Sequence, residues 1–203
     1  MKKNTKKIVT AAGIAAGTAA VASLYAYVTI KALIDTALDR EMPKVMEKAD
    51  KRISGEKSSD EFTNRMESAS ESLAVQPNET VEIIAHDGEK LVGHYFPCEK
   101  PERVIIAFHG WRSSWHRDFG MISDFWYKNN CSVLYVEQRG QNNSSGEYMG
   151  FGLTERFDCL DWLNWEIERC GSDIPVYLAG VSMGATTVLM AAGLQLPPNV
   201  HGI

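Results

Sequence analysis

Ser182 stands in Gly180-Val181-Ser182-Met183-Gly184, between an apolar run, Pro175 to Ala179, and a small-residue run, Ala185 to Ala192. The first run reads as a buried strand and the second as a helix, so the serine falls on the sharp turn between them. Glycines two residues before and after it let the two backbones approach without a Cβ clash. A hydroxyl lifted above a sheet edge, at the positive end of a helix, is placed to attack a carbonyl carbon and to carry its acyl group. An ordinary strand-to-helix turn with a solvated serine shares the pentapeptide, so the rest of the chain must decide between the two.

A second segment fits the first. Arg103 to Phe108 is a continuous apolar strand pattern that runs into His109-Gly110-Trp111. Acyl transfer needs donors for the oxyanion of a tetrahedral intermediate, each commonly worth about 3 kcal/mol. The backbone N–H groups of Trp111 and Met183 are the expected pair. His109, at a strand end before this turn, is expected to brace the loop through hydrogen bonds rather than serve as the base.

With these pieces the chain resembles the α/β-hydrolase superfamily, and more closely the membrane-anchored bacterial alpha/beta hydrolases of serine aminopeptidase or esterase type. The resemblance covers about residues 78 to 203. It rests on His86-Asp87-Gly88, Phe108-His109-Gly110-Trp111, Glu137-Gln138-Arg139-Gly140, Gly146 to Gly152 and Gly180 to Ala185, in the family's order and spacing. Two positions depart from the family's usual pattern. Gln141-Asn142 stands in place of His-Gly, and Glu137 in place of Asp. The resemblance implies an α/β fold with a mostly parallel sheet and helices on both faces. It also implies a serine hydrolase cleaving a carboxylic ester, thioester or amide through an acyl-enzyme on Ser182.

The remaining elements agree with that architecture. Val81 to Ile84 alternates and stops at Asp87-Gly88, a hairpin signal, with Leu91 to Phe96 as its partner. Ser132 to Val136 is another buried strand. Phe119, Ile122 and Trp126 recur at helical spacing; Leu153, Phe157, Leu160, Leu163 and Ile167 do the same and predict an amphipathic helix over 153–169. A hairpin followed by alternating strands and helices makes a mostly parallel sheet covered on both faces. Glu155, Asp158 and Asp161 read as surface or capping charges, and Trp162, Trp165, Cys131 and Cys159 as packing residues. Trp111, Trp115 and Tyr148 read as an apolar part of the pocket wall.

The residues after Ser182 include no Asp or Glu, and Val200-His201-Gly202-Ile203 reads as the start of a further strand. In this fold the triad follows the chain order Ser, acid, His, so His201 comes too early to be the base. A complete domain of the class takes about 250 residues. The chain is therefore expected to be a fragment, incomplete at the C-terminus, with the triad acid and His absent. A different class of function also fits: a non-catalytic membrane-tethered binding or scaffold protein on a hydrolase-like fold.

The amino end carries Lys2, Lys3, Lys6 and Lys7, then an uncharged stretch from Ile8 to Ile30. As a helix it would span about 34 Å, enough for a hydrocarbon core of about 30 Å. The lysines place the amino end in the cytoplasm and the domain outside. A cleaved signal peptide ending in Ala20-Val21-Ala22 is the alternative, leaving a secreted domain. Gly13 and Gly17 match a helix-dimer spacing, but oligomeric state is left open. Residues 1–7 are then a basic tail, 8–30 a signal-anchor transmembrane helix, 31–76 a charged helical stalk with apolar stripes interrupted at Pro43, and 77–203 the hydrolase part. The net charge of −5, with no basic patch beyond the terminal lysines, argues against nucleic acid as a partner. The four cysteines have no metal spacing and no phosphate loop is present, so no metal and no cofactor are expected. The expected partners are a small-molecule or peptide acyl substrate and, through the N-terminal helix, a membrane.

Overall fold

The computed structural model describes residues 2–41 and 61–203, with side chains from Gly17 onward. In chain order the elements are α1 (Lys2–Leu38), α2 (Glu61–Ala74), β1 (Glu79–Ile84), β2 (Lys90–Phe96), β3 (Arg103–Phe108), α3 (Trp115–Lys128), β4 (Cys131–Glu137), α4 (Glu155–Cys170), β5 (Val176–Gly180), α5 (Met183–Ala191) and β6 (Val200–Gly202). The strands form one mixed sheet in the order β1-β2-β4-β3-β5-β6. β1 and β2 pair antiparallel, as do β2 and β4. β4, β3, β5 and β6 run parallel.

Strand periodicity divides the core into two layers. Val104, Ile106 and Phe108 of β3, Leu134 and Val136 of β4, and Val176 and Leu178 of β5 meet Cys159, Trp162 and Leu163 of α4 and Val188 of α5. The alternate residues Ile105, Ala107, Val133 and Tyr135 meet Trp115 and Phe119 of α3 and Leu73 of α2 on the other face. β3 and β4 read as continuous apolar runs because both of their faces are covered.

Two expectations differ from the structure. The helix predicted over 153–169 is α4, and of its expected stripe Leu163 is buried and Leu160 packs on the core; Leu153, however, is 60% exposed, and Glu155, Asp158, Cys159, Trp162 and Glu166 are buried as well. Glu155 and Asp158 turn inward because each has partners there, described below. They are not the surface charges that their type implies. Trp115 likewise belongs to the core and stacks on the His94 ring with centroids 4.4 Å apart.

α1 runs without a break past residue 30 to Leu38, and the residues that follow it pack on the domain. α2 lies along α3 so closely that a Cβ on Gly120 would meet the Ala69 carbonyl carbon at 2.7 Å. The described ends of the expected stalk, 31–41 and 61–76, are thus folded onto the domain or run into it. The stripe through Met46, Ala49 and Ile53, with Pro43 and Ser58, lies outside the described residues. Gly17–Leu38 has a mean hydropathy of 1.4 and none of it is buried, so it is long and apolar enough to cross a membrane, as a span or a signal sequence would be.

Candidate active site

The C-terminal ends of β3, β4 and β5 lie side by side, and each runs into a loop with distinctive residues: His109 to Trp111, Gln138 to Gly140, and Val181-Ser182. β3 sends the chain to β4 on one side and pairs with β5 on the other, and such reversals leave a crevice at the carboxyl edge of a parallel sheet.

Ser182 is exposed at this edge and has φ 51° and ψ −114°, a conformation that a residue with a Cβ rarely adopts. It is imposed by the close crossing of strand and helix. A Cβ on Gly180 would lie 2.3 Å from the Gly184 carbonyl oxygen, and one on Gly184 would lie 1.9 Å from the Phe108 carbonyl oxygen. The Val181 N–H donates to the Phe108 carbonyl at 3.1 Å, and the Gly184 N–H to the Val181 carbonyl at 2.8 Å. The sheet edge and the start of α5 are therefore interlocked, and the serine is the residue that takes up the bend.

The His109-Gly110-Trp111 turn packs against it: a Cβ on Gly110 would come 3.3 Å from the Ser182 Cβ. Asp118, in the first turn of α3, accepts from the Gly110 N–H at 2.6 Å and from the Ser113 hydroxyl at 2.6 Å. The Arg112 N–H donates to Gln141 Oε1 at 2.6 Å. Between these two tethered amides, the Trp111 N–H makes no hydrogen bond among the described residues, and neither does the Met183 N–H. Among the described residues, then, two amides without protein partners sit on the two loops beside one exposed hydroxyl.

His109 is fully buried. Its Nε2 accepts from the Gln138 N–H at 3.2 Å, which leaves the proton on Nδ1, 2.8 Å from the Gly110 carbonyl. Burial holds the imidazole below its ordinary pKa, so the ring is neutral. Gln138 extends the brace. Its amide donates to the His109 carbonyl, and its Oε1 accepts from the Thr187 hydroxyl on α5 at 2.6 Å. This network ties the His109 loop to the elbow helix.

The departures from the usual pattern have partners of their own. Burial raises the Glu137 carboxyl, but the His94 Nε2 at 2.8 Å and the Asn143 N–H at 2.6 Å outweigh it and hold the carboxyl below the usual range. Asn142 reaches His109 Nε2 at 3.2 Å, and Gln141 holds Arg112 as above. Arg139 is clamped between Asp87, at 2.7 and 3.2 Å, and Asp158, both contacts bidentate. The guanidinium is held firmly charged, chiefly by its hydrogen bonds to Asp158. Glu155 accepts from the N–H groups of Gly150 and Gly152 at 2.5 and 2.7 Å and so orders the glycine-rich loop. His86, Asp158 and Asp161 come within metal-binding reach of one another. However, Arg139 occupies the Asp158 oxygens, and the His86 ring bonds Asp161 at 2.9 Å.

No histidine or carboxylate among the described residues hydrogen-bonds to the Ser182 hydroxyl. His201 lies on β6, where Gly202 pairs with Tyr177. Ser182 is five residues beyond Tyr177, about 16 Å along a strand at 3.3 Å per residue. Two residues of this edge carry no signal in the sequence. Arg112 and Gln141 act through contacts distant in the chain. Asp118 leaves a weak one, an acid in the first turn of a helix that follows a glycine loop.

No family model and no curated protein matches the chain. Solved structures do. An esterase from Pyrococcus furiosus superposes with a TM-score of 0.51 at 26% identity, over 58% of this chain and 46% of its own. An α/β serine hydrolase without a lid from Xanthomonas campestris gives 0.51 at 19% identity, over 58% and 56%. An α/β serine hydrolase homologue from Coxiella burnetii gives 0.51 at 20%, over 60% of each chain. The fold is α/β-hydrolase-like, a mixed sheet with helices on both faces. Its structural neighbours include esterases and serine hydrolases, and the chain spans a little under half the length of the Pyrococcus esterase.

Proposed function

We propose that this chain carries the nucleophile half of a serine hydrolase that cleaves a carboxylic ester, thioester or amide. Ser182 attacks the carbonyl and forms an acyl-enzyme, while the N–H groups of Trp111 and Met183 hold the oxyanion. The acid and the histidine of the triad, which follow the nucleophile in the order the fold prescribes, are assigned to no described residue. α1 serves as a single-pass anchor with its lysines in the cytoplasm and the domain outside. The observation that carries the reading is Ser182 itself: an exposed serine at φ 51°, with the Gly110 turn packed against it. Such strain persists where the surroundings impose it, and it clusters at reactive sites.

The test is covalent labelling of the full-length protein with a fluorophosphonate. Labelling is expected on Ser182 and is expected to vanish in Ser182→Ala. Labelling that survives the substitution removes Ser182 from the mechanism. The lack of a base near Ser182 among the described residues supports a second reading, a tethered binding protein on the same fold. A full-length protein that folds, holds acyl ligands and never labels would establish it.

A further inference from the structure

The end of α1 docks on the loop that carries the Trp111 amide. The Trp111 indole donates to the Ala37 carbonyl at 3.0 Å. The Arg112 guanidinium donates to the carbonyls of Thr36 at 3.1 Å, Asp39 at 2.7 Å, Arg40 at 3.3 Å and Glu41 at 3.4 Å. Arg40 reaches back to the carbonyls of Asn142 at 2.7 Å and Ser144 at 2.5 Å. Backbone bonds close the joint, from Arg40 N to the Glu147 carbonyl at 2.9 Å and from Met149 N to the Leu38 carbonyl at 2.7 Å. The last carbonyls of any helix lack internal partners and attract cations, and here the loop beside the nucleophile supplies them.

Arg112 is itself strained, at φ 50°. Its backbone N–H is held by Gln141 and its side chain by α1, so the peptide plane just before it, which bears the Trp111 carbonyl, is fixed from two directions. On the far side Asp118 fixes Gly110. The Trp111 amide lies between these clamps.

We propose that the C-terminal turn of α1 is a working part of the active site, and that Arg112 is a positioning residue that aims the Trp111 N–H by gripping that turn. The inference rests on the reading of Trp111 as an oxyanion donor. It makes the amino-terminal helix more than a tether, because releasing its end would leave the Arg112 side of the donor loop held by Gln141 alone.

The test uses full-length protein in its membrane or detergent and follows p-nitrophenyl butyrate hydrolysis in Arg112→Ala, Arg112→Lys and Trp111→Phe. A donor that drifts costs transition-state binding and leaves substrate binding alone. Arg112→Ala is expected to lower kcat about tenfold or more, with KM within about twofold, a fraction of what removing a donor outright costs. Inhibition by an arylboronic acid, whose serine adduct places an oxygen among the same donors, is expected to weaken in parallel. Arg112→Lys is expected to recover part of both effects. If Arg112→Ala fails to fold, Trp111→Phe removes the indole bond to Ala37 and trims the ring that the Arg112 guanidinium overlies, and is expected to show a smaller loss in the same two quantities. Unchanged kcat and boronate affinity in a folded variant, or a rise in KM alone, overturns the proposal. A parent protein with no Ser182-dependent turnover overturns the reading beneath it, and the proposal with it.

Discussion

The serine depends on two glycines that have no chemistry of their own. Gly184 meets the Phe108 carbonyl so closely that one added methyl has nowhere to go. Gly184→Ala is therefore expected to cost more than about 4 kcal/mol and to abolish a cooperative thermal transition. Gly110→Ala faces contacts of 3.3 Å or more and is expected to fold, with its effect on the labelling rate of Ser182. Melting curves beside labelling rates separate the two. The turn that carries Ser182 was legible because its setting is local: strand, glycine, turn and helix are adjacent in sequence. Arg112 was not, since its acceptors lie 76 and 73 residues back in the chain. Nothing about an arginine in a loop announces partners at that distance.

Helix α4 shows where hydropathy misleads at the level of an element. Its existence was legible, but its rotation was not, because Glu155 and Asp158 face inward toward amides and a guanidinium that bind them. Apolar periodicity assumes that charges seek water, and a charge with a buried partner does not. Glu166 is the exception on this face. Among the described residues its oxygens have no hydrogen-bond partner beyond the nearby Cys170 thiol, and burial pushes its carboxyl up to about 7. The proton is therefore held in the fold to about pH 7 but released by the unfolded chain near 4.5. Stability is greatest below about pH 4.5, declines as pH rises toward 7 and is flat above, a total on the order of 3 kcal/mol from this group. Glu166→Gln is expected to remove that decline. Melts of parent and variant at pH 5 and pH 8 check it: a parent no less stable at pH 8, relative to the variant, contradicts the assignment.

For the whole molecule, a mostly parallel sheet with helices on both faces followed from strand–helix alternation, which chirality and burial restrict to few arrangements; the order of its strands was not read from the sequence. The docking of α1 and α2 did not follow either, since a charged segment reads as a solvated spacer until its carbonyls and small residues are seen against a surface. Exogenous protease added to intact cells is expected to degrade the domain and spare the lysine-bearing end; protection of the domain would reverse the proposed topology. The joint between α1 and the sheet domain consists of two arginines and the Trp111 indole, each donating into the other side's main-chain carbonyls, together with backbone pairs. Main-chain acceptors are the same whatever residue bears them. Thr36, Ala37, Asp39 and Glu41 are thus free to vary across evolution without loosening the seam, proline excepted, while Arg40, Trp111 and Arg112 are the letters that natural variation should leave alone.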